Sequence, residues 1–314
     1  MPKRQSHAFL SPVSRSPTTR PVSTHLLDVT GNNVADFEQM IVRKAGTRSI
    51  TAVNDIVQMA ANVQGSLGHE DAPIRILYIN PNSSRAFTQE TISYLSSRIP
   101  AEVRLDFYTA PPAAPASIDG VHDGIVSTAL ILQDLGLSAR EEGLRNAFIS
   151  QTYGAVIVAC FSAHPLVPAL QECLPSYPRK PPVIGIFEAS IYTALHLGST
   201  FGIATTGHQW EPLFKRHLRQ IGIADGRFSG VRGSGHNALD LHGENALSAL
   251  LAASLQLVND GANCIILGCA GMAPLTKTLE TALQEKAGAH FPVVDGVQAA
   301  IEQAIGMTRM NLRV

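Results

Sequence analysis

The sequence predicts an α/β protein with parallel sheets, assembled from two related halves. Three observations predict it. Short, nearly continuous apolar runs rich in Val and Ile alternate with helix-sized amphipathic segments, Gly and Pro punctuate the junctions, and one segment recurs about 110 residues later. Strands buried on both faces read as unbroken apolar runs, whereas half-exposed antiparallel strands alternate polar and apolar residues. The composition agrees: 314 residues, 45% hydrophobic and 16% charged, are enough for a large core. A net charge of −1 gives no electrostatic footprint for nucleic acid or an anionic membrane. The purest apolar run, residues 155–161, is strand-sized and far from the roughly 20 residues that a membrane helix needs. A soluble, cytoplasmic protein is expected.

Residues 1–27 contain no Asp or Glu and are broken by Pro12, Pro17 and Pro21, which predicts a disordered tail. The same acid-free, Ser-rich character gives a mitochondrial leader as the alternative, although the prolines oppose the amphipathic helix that import needs. Residues 28–72 read as a helical extension. Val34, Phe37, Ile41 and Val42, then Val53, Ile56, Val57, Ala60 and Leu67, fall at helical spacing before Gly65, Gly68 and Pro73 end the pattern. Strands are expected at 75–79, 103–108, 155–159, 183–186, 201–204, 264–267 and 292–294, with helices between them. The stretch from Gly230 to Gly235 has neither Walker nor dinucleotide-fingerprint spacing and reads as a turn feeding a helix. These elements give a first lobe at 73–187, completed by the closing helix 296–314, and a second at 188–295. In open α/β sheets ligands bind at the carboxyl ends of strands, so the site is sought there.

The repeat locates it. Val156-Ile157-Val158-Ala159-Cys160, followed by Pro165-Leu166 and later Pro182-Val183-Ile184-Gly185, matches Ile265-Ile266-Leu267-Gly268-Cys269, Pro274-Leu275 and Pro292-Val293-Val294-Asp295. Cys269 lies 109 positions after Cys160, Pro274 lies 109 after Pro165, and Pro292 lies 110 after Pro182. Each half therefore carries a cysteine just past a buried strand, and a pseudo-two-fold arrangement sets the two thiols across an interlobe cleft. A thiol near pKa 8.5 can serve as thiolate base or thiol acid when its surroundings are tuned. Two of them on opposite faces of a carbon acid can remove a proton from one side and return one from the other, with no cofactor. The remaining pair, Cys264 inside its strand and Cys173 late in a helix, lacks a symmetry mate and reads as packing.

The run Ile79-Asn80-Pro81-Asn82-Ser83-Ser84 with Thr88, the Cys160-Phe161 strand end, the Thr205-Thr206-Gly207 turn and Leu267-Gly268-Cys269-Ala270-Gly271-Met272 resemble the Asp/Glu/hydantoin racemase family. Gly207 with Trp210-Glu211, Asn237-Ala238 with Leu241-His242, and His164-Pro165-Leu166 resemble its fungal hydantoin/allantoin racemase-like branch. The resemblance covers about residue 74 to the end. It implies two Rossmann-like lobes with four-stranded parallel sheets related by a pseudo-dyad, and cofactor-independent proton transfer by Cys160 and Cys269. It also implies a small-molecule substrate held by Asn80, Ser84, Phe161, Ser162, Thr205, Thr206, Ala270 and Gly271. Turn formation and helix capping are the rival roles for Asn80, Ser84, Thr205 and Thr206.

Two departures bear on the substrate. Where amino-acid racemases of the family follow the first cysteine with Asn-Thr and the second with Thr, this chain has Phe161-Ser162 and Ala270. An apolar wall suits a neutral ring better than a zwitterion, because an unpartnered buried charge costs several kcal/mol. Where hydantoin racemases carry Asp, this chain has Ala163-His164, and His164 either tunes Cys160 or is a solvated loop residue. No spacing of His and Cys suggests a metal. The expected activity is inversion of a hydantoin-like cyclic amide. The alternatives are decarboxylation or ring closure through the same enolate, or a non-catalytic small-molecule-binding protein. A homo-oligomer is compatible with the sequence.

Overall fold

The computed structural model describes residues 63–138, 148–175, 180–198, 200–236 and 244–312. The tail, the helices read at 34–60, and Asn237-Ala238 with Leu241-His242 lie outside the described residues.

Among the described residues nine strands form two sheets. The first has the order β1-β3-β2-β4-β5 and the second β7-β6-β8-β9. Its members are β1 (Val63–Leu67), β2 (Ile74–Asn80), β3 (Val103–Thr109), β4 (Ala155–Val158) and β5 (Val183–Gly185); the second sheet comprises β6 (Phe201–Thr205), β7 (Phe228–Gly233), β8 (Cys264–Leu267) and β9 (Val293–Asp295). All neighbours run parallel except β1 with β3. The helices are α1 (Arg85–Leu95), α2 (Val121–Asp134), α3 (Phe148–Thr152), α4 (Leu166–Cys173), α5 (Ile186–Leu197), α6 (Trp210–Gln220), α7 (Glu244–Asn259), α8 (Thr276–Ala287) and α9 (Gly296–Arg309).

The alternating residues of each strand serve two different cores, which is why these runs have no polar face. Ile76 and Tyr78 of β2, Ile157 of β4, Ile203 of β6 and Ile266 of β8 join one cluster lying between the sheets. Leu77, Ile79, Val156 and Val158 face outward against Ile131 of α2 and Leu166 and Leu170 of α4. Ala204, Ile265 and Leu267 face the opposite way, against Leu250 and Leu257 of α7 and Leu279 and Leu283 of α8. Each fully buried aliphatic side chain contributes about 1.5–3 kcal/mol, so the helical cover is what makes two-sided burial worthwhile.

The central cluster owes its continuity to two helices. Helix α5 emerges from the first sheet at β5 and packs on β8 and β9 of the second, whereas α9 emerges from β9 and packs on β4 and β2 of the first; the two helices also pack on each other. Asp295 starts α9, accepting N–H bonds from Val297 (2.8 Å) and Gln298 (3.3 Å), and it accepts the Tyr94 hydroxyl of α1 at 3.0 Å. The repeat extends to individual bonds. Val156 N–H donates to Pro182 O at 2.9 Å and Ile265 N–H to Pro292 O at 3.0 Å; Ala159 N–H donates to Ile79 O at 2.8 Å and Gly268 N–H to Ala204 O at 2.7 Å.

Three expectations need correction. Residues 63–67 are a strand and not the end of a helix, so the first sheet has five strands where four were expected. Gly65 weakens a helix there, and Gly68, at φ +93°, turns the chain so closely over β3 that an added Cβ would stand 2.0 Å from Val103 O. Ser66, Arg75 and Arg104 then converge on the buried Asp106: burial alone would raise its carboxyl, but Arg104, Ser66 and Arg75 hold it below the usual range. The stretch read as a turn at 230–235 is mostly β7. It pairs with β6 through a register shift between Phe201 and Gly202, and Gly230, opposite Gly202, has φ +143°. That is a bulged edge strand, where glycine is at home.

Candidate active site

Cys160 stands two residues past the end of β4 and Cys269 two past the end of β8, both interior strands of their sheets. Both are free thiols, partly buried. Cys160 Sγ lies 3.2 Å from Ser162 Oγ, and the Ser162 backbone N–H returns to Cys160 O at 2.9 Å. Cys269 is the residue before the 3₁₀ helix Ala270–Leu275, in extended conformation, and its carbonyl accepts from Met272 N–H at 3.0 Å. The Gly268-Cys269 turn is tight. Thr205 donates its hydroxyl to Gly268 O at 2.9 Å, and a Cβ at position 268 would fall 2.6 Å from Thr205 Cβ.

Burial dominates the acidity of both thiols. It pushes Cys160 up to about 12, with the Ser162 hydroxyl opposing and the charges of Cys269 and Asp119 adding to it. Cys269 goes up to about 11, held down in part by the Gly271 and Met272 N–H groups and raised by Asp119. Burial thus favours the protonated form of both thiols, because desolvation of a thiolate outweighs its hydrogen bonds. Cys269, with two backbone donors, is the readier to ionise. The charge of Cys269 also contributes to raising Cys160.

The other residues divide into those beside the sulfurs and those that shape the ground under them. Asn80 is fully buried; its Nδ2 donates to Asn82 Oδ1, Ser84 O and Thr88 Oγ1, and its Oδ1 accepts from Asn82 N–H. Its amide is thus spent on holding the turn after β2. Ser84 is the N-cap of α1, accepting from Phe87 N–H at 3.2 Å. Phe161 points into an aromatic cluster with Phe187 (5.1 Å) and Phe214 (5.3 Å), the latter stacked on Trp210, so it ties the first sheet's loop to α5 and α6. Thr205 and Thr206 do not cap α6, whose N-cap position is Gln209; their backbone carbonyls accept from Ser234 and Gly235. Ala270 is buried and Gly271 partly so, immediately beside Cys269.

His164 is a correction. The solvated loop histidine is 2% exposed, its Nδ1 accepts from Leu166 N–H at 3.2 Å, and its Nε2 has no partner among the described residues. Burial pushes it down to about 4. Asp119 went unnoticed in the sequence; it is an exposed loop carboxylate whose charge reaches both sulfurs. Only the general rule that ligands meet the loops after parallel strands could have flagged it. Among the described residues no group of three His, Cys, Asp or Glu side chains could hold a metal ion, and no helix is long and apolar enough to cross a membrane.

The model of the Asp/Glu/hydantoin racemase family matches residues 76–304. An uncharacterised Schizosaccharomyces pombe protein is 37% identical over 243 residues, spanning 76% of this chain and 94% of its own. Hydantoin racemase of Paenarthrobacter aurescens is 30% identical over 245 residues, 76% of this chain and 92% of its own. The allantoin racemase structure from Klebsiella pneumoniae superposes with a TM-score of 0.63 at 26% identity, covering 76% of this chain and 89% of that one. The two sheets with cysteines after matched strands thus have a family: the chain belongs to the Asp/Glu/hydantoin racemases.

Proposed function

We propose that this protein is a cofactor-independent racemase of a neutral cyclic amide of the hydantoin type, with Cys160 and Cys269 as its two proton-transfer groups. The observation that carries this reading is the pair of partly buried free thiols, each two residues beyond an interior strand of its own sheet. Relatives that act on hydantoin and allantoin support the substrate class. The chemistry needs a carbon flanked by a carbonyl and a nitrogen. Cys269 as thiolate takes the proton from one face, the electron pair moves into the carbonyl to give an enolate, and the Cys160 thiol returns a proton to the opposite face. One proton leaves and one arrives, and the enzyme finishes with the charge on Cys160, poised for the reverse direction.

The Gly271 and Met272 N–H groups suit Cys269 to the base role in one direction, and Ser162 suits Cys160 to either role by hydrogen-bonding the sulfur. A buried thiolate is expensive to form and correspondingly basic, which favours abstraction from a weak carbon acid once it exists. The reading is tested by following the optical rotation of a 5-substituted hydantoin. Wild type should racemise it, and Cys160→Ala and Cys269→Ala should each lower the rate by about a hundredfold or more, the usual scale of a lost general acid or base. Racemisation at wild-type rate in either variant would contradict the two-thiol mechanism.

A further inference from the structure

We propose that Thr205 is the positioning residue of Cys269, its buried hydroxyl clamping the peptide that leads into the sulfur's residue. The inference rests on the racemase reading above, in which Cys269 moves a proton. Gly268 is held at both of its backbone polar groups by consecutive residues of β6: its N–H donates to Ala204 O at 2.7 Å, and its carbonyl accepts the Thr205 hydroxyl at 2.9 Å. On the far side, Cys269 O accepts from Met272 N–H at 3.0 Å. Peptide units are planar, so tethering the oxygens on either side of Cys269 fixes its backbone, at φ −157° and ψ 138°, and leaves the side-chain torsion to aim the thiol. Thr205 is itself anchored. It ends β6, an interior strand, and its carbonyl accepts from Ser234 N–H at 2.8 Å.

Close packing completes the clamp. A Cβ at position 268 would stand 2.6 Å from Thr205 Cβ and 2.7 Å from its Oγ1, so the threonine side chain fills the space that a larger residue would take. Thr205 has no exposed surface and its one hydroxyl proton is committed to Gly268 O, so the group serves the protein and not a ligand. The first sheet is built differently. Ile79 lies opposite Val158 there, as Ala204 lies opposite Leu267, which makes Asn80 the counterpart of Thr205 and Ala159 that of Gly268. Ala159 carries the methyl that Gly268 lacks, and the Asn80 amide turns to its own loop, donating to Asn82, Ser84 and Thr88. Cys160 instead has Ser162 Oγ at 3.2 Å from its sulfur. One thiol is therefore placed from behind, through its backbone, and the other is held at the sulfur. Removing the Thr205 hydroxyl leaves the Gly268 carbonyl without its donor, and the turn must move to satisfy it.

The test compares wild type with Thr205→Val and Thr205→Ala, which lack the hydroxyl, and Thr205→Ser, which keeps it. The first two should lower kcat for racemisation of a 5-substituted hydantoin about 10- to 100-fold, the scale of a misplaced reacting group, and leave KM within about twofold. Thr205→Ser should recover most of that loss. In the absence of substrate, iodoacetamide should label Cys269 of the hydroxyl-free variants about threefold faster or more, as the loosened turn admits reagent, with Cys160 unchanged. Should Thr205→Val fail to fold, the comparison of alanine with serine decides. An unchanged kcat, a loss confined to KM, or a serine variant as impaired as the alanine one overturns the inference, and inversion by wild type leaves racemisation standing. If wild type does not invert the ring, racemisation falls and labelling decides alone: a change at Cys269 only sustains the clamp, whereas a change at both cysteines or at neither overturns it.

Discussion

The two candidate sulfurs differ in what each has to offset burial. The Gly271 and Met272 N–H groups hold Cys269 down and a single hydroxyl holds down Cys160, so Cys269 should ionise first, and Cys264, fully buried inside β8, should ionise last. Alkylation of the native protein followed by peptide mass mapping should label Cys269 ahead of Cys160 and leave Cys264 intact; early loss of Cys264 would contradict this order. Because thiolate population rises tenfold per pH unit below the pKa, the racemisation rate should climb steadily from pH 7 to pH 9 and not level off in that window. A plateau by pH 8 would mean that a ligand or neighbour lowers a thiol well below its value of about 11.

His164 gives a stability prediction. Between its ordinary pKa of 6.5 and its folded value of about 4, the unfolded chain takes up a proton that the native one refuses, so stability is lost as pH falls through that window. The loss should reach at most about 3 kcal/mol. His164→Gln should lose less stability than wild type between pH 6.5 and 4 in urea titrations, and an identical loss would contradict the assignment. The position of each cysteine just past an interior strand was legible because a repeat singles out matched positions. His164 was not, since the burial of a loop residue depends on what packs over it, here α2.

The elements read most easily were strands buried on both faces, such as β2, β4 and β8, whose unbroken apolar runs follow from having a core on each side. The misread ones are edges. Strand β1 contains Gly65, Gln64 and Ser66, and β7 contains Gly230 and Gly233, so neither carries the β-branched density that marks an interior strand. The same glycine economy is critical at the β6–β8 crossing. Gly268→Ala would put a methyl 2.6 Å from Thr205 Cβ and 3.0 Å from its Cα, so β8 must shift just ahead of Cys269. It should cost about 1–3 kcal/mol, the usual penalty of overpacking, and lower turnover more than urea stability alone would explain. Phe161→Ala, which removes the ring between Phe187 and Phe214, should cost about 3–5 kcal/mol in urea unfolding. A loss below 1 kcal/mol in the second case would mean that the ring serves the ligand more than the core.

At the scale of the molecule, the exchange of α5 and α9 between sheets and the continuous cluster between them predict that the described region unfolds as one cooperative body. Trp210, the single tryptophan of the chain, lies in the aromatic group that joins Phe161 of the first sheet's loop to α6. Its fluorescence and the far-ultraviolet helix signal should therefore fall together in urea, whereas two separated transitions would show that the halves unfold independently. The alternation of strands and helices and the repeat foretold two parallel sheets. Which face each helix covers was less visible, because a helix with apolar residues around much of its circumference, like α5, fits either sheet.

The central claim is that two thiols invert a carbon by proton transfer on opposite faces. A single hand of a 5-substituted hydantoin incubated with the enzyme in D₂O tests it most directly. The inverted product should carry deuterium at the α-carbon from the first turnover, and Cys160→Ser and Cys269→Ser should each abolish inversion. Product that retains its original hydrogen, or inversion that survives either substitution, would contradict it.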